Sequence, residues 1–223
     1  MKGKVQVSAA QFAPVFLDRK STIRKAGDIM AEAARAGSKL IVFPEAFITG
    51  YPCWVWKLAA GEDRQLQALY VEYLMNSVGL GGSEVDDLCR AARQNKINVV
   101  MGVSEPNDEA SRTLMFNSVL FIDEKGLLLG RLCALICWEN DMPLARYAMF
   151  AQGPQIYCAL TWDRAEPWLS SMRHIAREGR LVPGEIFSEL SASQMMQSGR
   201  FRRKCFFPLR GLLPVPLTPT RTW

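Results

Sequence analysis

Histidine is almost missing from this 223-residue chain, and His174 is the only one. That excludes a zinc site built on two or three imidazoles. The six cysteines, at 53, 89, 133, 137, 158 and 205, form no Cys-x-x-Cys pair. Neither a thiolate metal centre nor a disulfide framework is legible, and free thiols packed as small hydrophobes are the expectation. No stretch reaches about 18 uninterrupted apolar residues, so no membrane-spanning helix is expected. Met1-Lys2-Gly3-Lys4 runs directly into a strand pattern and leaves no room for a secretory leader, which points to a soluble cytoplasmic protein. Glycine (16) and proline (12) are near average and no internal repeat is present.

What is present is globular. Hydrophobic residues make up 49% and charged residues 22%, ordinary values for a chain with one sizeable core. The net charge of +5 is uneven. Residues 1–180 hold 21 Lys+Arg against 20 Asp+Glu, whereas 181–223 hold 6 against 2 and carry 5 of the 12 prolines. The basic character belongs to the C-terminal end and says little about partners of the main body.

The periodicities alternate between strand and helix. Val5, Val7 and Ala9 mark a first strand. Asp18 caps a predicted helix with apolar positions Ile23, Ala26, Met30 and Ala33, which Gly37 should end. Residues 39–43 form an apolar run suited to a strand covered on both faces. Helices are expected at about 62–78 and 83–96, the second capped by Ser83. Strands are expected at 97–103, 116–122, 127–130, 132–136 and 156–160, with a hairpin turn at 123–126. Further helices are expected at about 143–151 and 166–178. This is an α/β pattern with a covered central sheet. Past Arg180 the periodicity fades, and 181–223 reads as a proline-rich basic tail without forced structure.

Two places just beyond buried strands can carry chemistry, which is where open α/β sheets place ligands. Glu45 follows Phe43-Pro44, and Cys137 follows Leu135-Ile136 and precedes Trp138-Glu139-Asn140. Alone, each has an ordinary reading, as a cap or surface carboxylate and as a small core residue. Together they offer a thiol nucleophile and a carboxylate base.

The residues around them resemble the nitrilase branch of the carbon–nitrogen hydrolase superfamily. The resemblance runs over residues 4–180. It rests on Ala10-Gln11 with Pro14, residues 43–52 from Phe43 to Pro52, Trp54-x-Trp56, Ala134 to Asn140, Met142-Pro143-Leu144 and Thr161-Trp162-Asp163. It implies a four-layer α-β-β-α sandwich, a Glu–Lys–Cys catalytic set and no metal or organic cofactor. By position Glu45 is the general base and Cys137 the nucleophile. Tyr51, Trp54, Trp138, Glu139 and Trp162 would line the substrate. A small nitrile is the implied substrate, and homo-oligomers are the implied assembly.

The departures matter equally. In that family the strand ending near Leu129-Gly130 leads into some tens of residues that carry the catalytic Lys. Here Gly130-Arg131 leads straight into Leu132-Cys133-Ala134. Lys57 and Lys125 do not inherit the role by motif, and Cys133 reads as core. The expected domain at 1–180 is therefore an incomplete sandwich, lacking a segment after about residue 130. Three functions are weighed: a nitrile hydrolase, a defective homologue that co-assembles with a complete one, and nucleic-acid binding through residues 200–204. The last rests on a single charge cluster and is set aside. His174 reads as a solvated or packing residue.

Overall fold

In the computed structural model, residues 4–58, 63–107, 111–130, 135–151, 157–161, 163, 165–179, 186–187 and 205–208 are described. A six-stranded mixed sheet forms the centre, in the order β5-β4-β3-β2-β1-β8. Its strands are β1 (Lys4–Ala9), β2 (Leu40–Val42), β3 (Asn98–Asn107), β4 (Ser111–Ile122), β5 (Leu128–Gly130) and β8 (Cys205–Pro208). The first three run parallel, while β4, β5 and β8 pair antiparallel with their neighbours. A two-stranded parallel sheet joins β6 (Tyr157–Cys158) and β7 (Ile186–Phe187).

Helices α1 (Arg19–Arg35) and α3 (Ser83–Asn95) cover one face of the large sheet. They bury Ile23, Ala26, Ile29, Met30 and Ala33 from α1 and Val85, Leu88 and Ala92 from α3. Truncating the fully buried Leu88 to alanine would cost about 2–5 kcal/mol. The other sheet face presents Val42, Val100 and Val119, which meet Ile136 and Leu160 from the second layer. Alternation then turns Tyr157 and Ala159 outward onto Trp168, Met172 and Ile175 of α5 (Glu166–Glu178). Helix, sheet, sheet, helix is the order of layers.

Local signals explain most boundaries. The Asp18 carboxylate accepts from the Ser21 amide at 3.0 Å and so caps α1, and hydrogen bonds from the Ser21 hydroxyl and then its amide hold its carboxyl below the usual range. Gly37, at φ +90°, lets the chain turn out of the helix. Asp123 closes the 123–126 turn by accepting from the Lys125 and Leu127 amides. Ser83 is not the cap of α3: extended Gly82 holds that position, and Ser83 is the first helical residue. Strands β3 and β4 run longer than their apolar cores suggested, because ladder pairing continues through polar residues to Asn107 and Ser111. Among the described residues of the second layer, β6 takes in two residues and Ile136 makes one bridge to Leu160. Residues 131–134, in the strand expected at 132–136, lie outside the described residues. So does most of 181–223, although β7 and β8 fall within that stretch and β8 pairs with β1. Helix α2 (Asp63–Met75) and helix α4 (Pro143–Phe150) complete the described elements, with Pro143 opening α4 where its missing N–H is harmless. No described helix is long and apolar enough to cross a membrane.

Candidate active site

Glu45 sits where β2 gives way to a buried loop. The Phe43 amide bonds the Val100 carbonyl at 2.8 Å and the Phe47 amide bonds Gly102 at 2.9 Å, so the loop stays attached to β3 beyond the end of β2. Ala46 adopts φ +48°, which turns the chain sharply at the catalytic candidate. Glu45 is only 5% exposed. Its Oε1 accepts a 2.7 Å bond from the side-chain amide of Asn117 on β4, as a buried carboxylate requires a donor. Ser104, the cross-strand partner of Asn117, bonds the phenol of Tyr73 on α2. Burial, with the charge of Glu45 adding to it, pushes that phenol up to about 12, so it stays protonated.

Cys137 enters from the facing layer. Ile136 bridges Leu160, and the Cys137 amide bonds the Leu160 carbonyl at 2.8 Å. The nucleophile candidate then takes φ +49° at the head of a 3-10 turn, Cys137–Asp141. Glu139 pins the turn by accepting from the Ile136 amide at 2.9 Å. Asn140, fully buried, donates to the carbonyls of Leu135 and Cys137 at 3.0 Å each and accepts from the Tyr157 phenol at 2.8 Å. Arg146 on α4 donates to the Asn140 carbonyl at 2.9 Å and pairs with Glu178 of α5 at 2.6 Å. The strained turn is thus held on three sides.

The two candidates act on each other. Burial is the main cause that raises the Cys137 thiol above its ordinary value. The Thr161 hydroxyl, donated to Sγ at 3.6 Å, opposes it, and the negative charges of Glu45 and Asp163 raise it further. At rest the sulfur is therefore a thiol with a carboxylate close enough to affect its proton.

The remaining expected residues fall into distinct places. Trp54 is 7% exposed and packs edge-on against Phe16 and Tyr73, at 5.7 and 5.1 Å between ring centres. Tyr51 lies near enough to act on the Tyr73 phenol. Trp138 is 75% exposed beside the nucleophile. The Glu139 carboxylate is engaged with the turn backbone. Trp162 lies outside the described residues. His174, Lys57 and Lys125 are all exposed, Lys125 in the β4–β5 turn. No group of three or more metal-ligating side chains occurs among the described residues. Sequence reading missed Asn117, Tyr73 and Arg146. Only Asn117 left a signal, as an amide inside the apolar run 116–122.

Known proteins resemble this chain in sequence and in fold. Residues 6–132 match the family model described as carbon-nitrogen hydrolase. The chain is 34% identical over 213 residues to the bifunctional nitrilase/nitrile hydratase NIT4B of Nicotiana tabacum, covering 78% of this chain and 59% of that one. It is 34% identical to nitrilase 1 of Arabidopsis thaliana, covering 88% and 64%. The chain thus spans about three fifths of the length of such relatives. In fold it is similar to Nit3 of Saccharomyces cerevisiae, a member of branch 10 of the nitrilase superfamily, with a TM-score of 0.65 at 15% identity over 80% of this chain and 73% of that one. An amidase from Nesterenkonia sp. gives 0.59 at 17% identity, over 81% and 74%. From the Glu45 loop, the Cys137 turn and the α-β-β-α layering to these matches, the chain belongs to the carbon–nitrogen hydrolase family.

Proposed function

We propose that this chain is a cytoplasmic thiol hydrolase that converts a small nitrile to a carboxylic acid and ammonia, and that it does so slowly. The observation that carries the reading is the buried Glu45 carboxylate acting electrostatically on the Cys137 thiol of the facing layer. Glu45 takes the thiol proton as Sγ attacks the nitrile carbon and passes it to the nitrile nitrogen, giving a thioimidate and restoring the carboxylate. Water activated by the same carboxylate adds to it, ammonia leaves, and a second water releases the acid from the thioester. Tyr51, Trp54, Trp138, Glu139 and Trp162 are proposed to line the substrate.

The slow rate follows from what should stabilise the developing negative charge. The charges found acting on Cys137 among the described residues, those of Glu45 and Asp163, are both negative. The alignment with the tobacco relative runs over 213 residues while taking in 78% of this chain. Several tens of the relative's positions therefore have no counterpart, which supports a missing internal segment. Losing one preorganised donor costs about 100- to 1,000-fold in rate. The same observation favours a second reading, a defective homologue that co-assembles with a complete one.

Ammonia release from a panel of aliphatic and aromatic nitriles, by the chain and by its Cys137→Ala and Glu45→Gln variants, tests both readings. Slow release over many turnovers, lost in both variants, supports the hydrolase. Release unaffected by Cys137→Ala overturns it. Release by none of the three, with no adduct on Cys137, leaves the co-assembling homologue.

A further inference from the structure

Asn117 stands two strands away from β2, with β3 between them, yet its amide reaches the carboxylate of Glu45. Gly102 explains the reach. It pairs with Val119 on β4, and its missing side chain lets the backbone of residues 44–46 fold closely over β3. The Glu45 carboxylate is thereby carried toward β4. Asn117 shares its sheet face with Ser104, Val100 and Val119, the face that looks toward the Cys137 layer. Glu105 and Ser118 lie on the opposite face, bonded to each other at 2.7 Å.

A carboxylate is purely an acceptor, so only the Nδ2 end of the amide can face its Oε1. Such a bond favours the charged form over the protonated one. We propose that Asn117 is a positioning residue for Glu45, whose amide holds the carboxyl charged, oriented and ready to accept a proton beside the Cys137 thiol. The assignment rests on the reading of Glu45 as the base. The titratable groups found facing Glu45 are the Tyr73 phenol from α2 and the Cys137 thiol from the second layer. Both are protonated and neutral at rest, and the Asn117 amide adds a neutral donor that favours the charged form of the carboxylate.

The experiment follows the Glu45 carboxyl directly and needs no turnover. The full chain is labelled with 13C at glutamate side-chain carboxyls, and the Glu45 signal is assigned by its loss in Glu45→Gln. Its titration is then compared in wild type, Asn117→Leu and Asn117→Asp. Both variants should move the midpoint upward, by about one pH unit for Leu and further for Asp, which adds a like charge. Ser118→Ala breaks a bond on the other face of the same strand and should leave the midpoint in place. If Asn117→Leu does not fold, the near-isosteric Asp variant carries the same test. A midpoint that moves no more in the Asn117 variants than in Ser118→Ala overturns the proposal. Should the midpoint rise while ammonia release proves independent of Glu45, the positioning holds and the catalytic reading alone fails.

Discussion

A Cβ placed on Gly102 would come within 2.2 Å of the Pro44 carbonyl oxygen and 2.8 Å of both the Ala46 nitrogen and the Glu45 Cα. All three are backbone atoms of the loop that carries Glu45, so no side chain can swing aside. Gly102→Ala should therefore push the loop off β3 and destabilise the fold by about 2 kcal/mol or more. Urea unfolding measures the loss. An alanine variant as stable as wild type would mean that the loop is not seated on β3 as described.

This contact shows why part of the site was legible in the sequence and part was not. Glu45 and Cys137 each follow an apolar strand, a position with an ordinary reading by itself, and the motifs around them are what singled them out. The α1 cap at Asp18 and the 123–126 turn were legible because their partners lie within four residues. Asn117 and Tyr73 owe their roles to partners 72 and 31 residues away, and such pairings leave no period in a chain. Arg146 is similar, bonding Glu178 across 32 residues from a short helix that reads as exposed. Ser83 was misread as a cap because a helix start is equally well made by extended Gly82 one residue earlier. The fold class needed only alternating periodicities, whereas the site needed the fold.

The Arg146–Glu178 pair should give the layer that carries Cys137 an acid-sensitive edge. The bond from Arg146 holds the Glu178 carboxyl below its ordinary value of 4.5. A depressed folded value contributes stability above the unfolded value, and that contribution is lost as pH falls through the folded one. Glu178 is 36% exposed, so solvent screens the pair and the effect should be modest. Glu178→Gln should flatten the pH dependence of stability below 4.5 and lower neutral stability by the same modest amount, because the contribution of the pair is present there. Thermal melts across that range would show it. A variant with the wild-type acid slope would exclude the pair as its source.

Trp138 offers a clean test of the substrate wall because the fold hardly uses it. At 75% exposure it contributes little packing, so Trp138→Ala should change unfolding stability by no more than about 0.5 kcal/mol. Its proposed contact with substrate should raise KM several-fold while the melt stays in place. A lower Tm with unaltered KM would assign the indole to packing instead.

The thiol of Cys137 is set by opposing neighbours, and removing them one at a time should move it in opposite directions. Burial raises it, the Glu45 charge raises it further, and the Thr161 hydroxyl pulls it down. In Glu45→Gln a negative neighbour is gone, so the thiolate forms at lower pH and alkylation by iodoacetamide at a fixed neutral pH should accelerate. In Thr161→Val the hydrogen bond that favours the thiolate is gone, so the midpoint should rise and alkylation slow. Turnover should not follow alkylation. Glu45→Gln leaves no group to take the proton or activate water, and its nitrile hydrolysis should fall about 100-fold or more even as its sulfur becomes more reactive. Peptide mapping at limiting reagent keeps the reading specific, since burial pushes Cys158 up to about 12 and should leave it unlabelled. If Glu45→Gln slows alkylation instead, the carboxylate assists ionisation more than its charge opposes it, and the electrostatic account of this thiol is wrong.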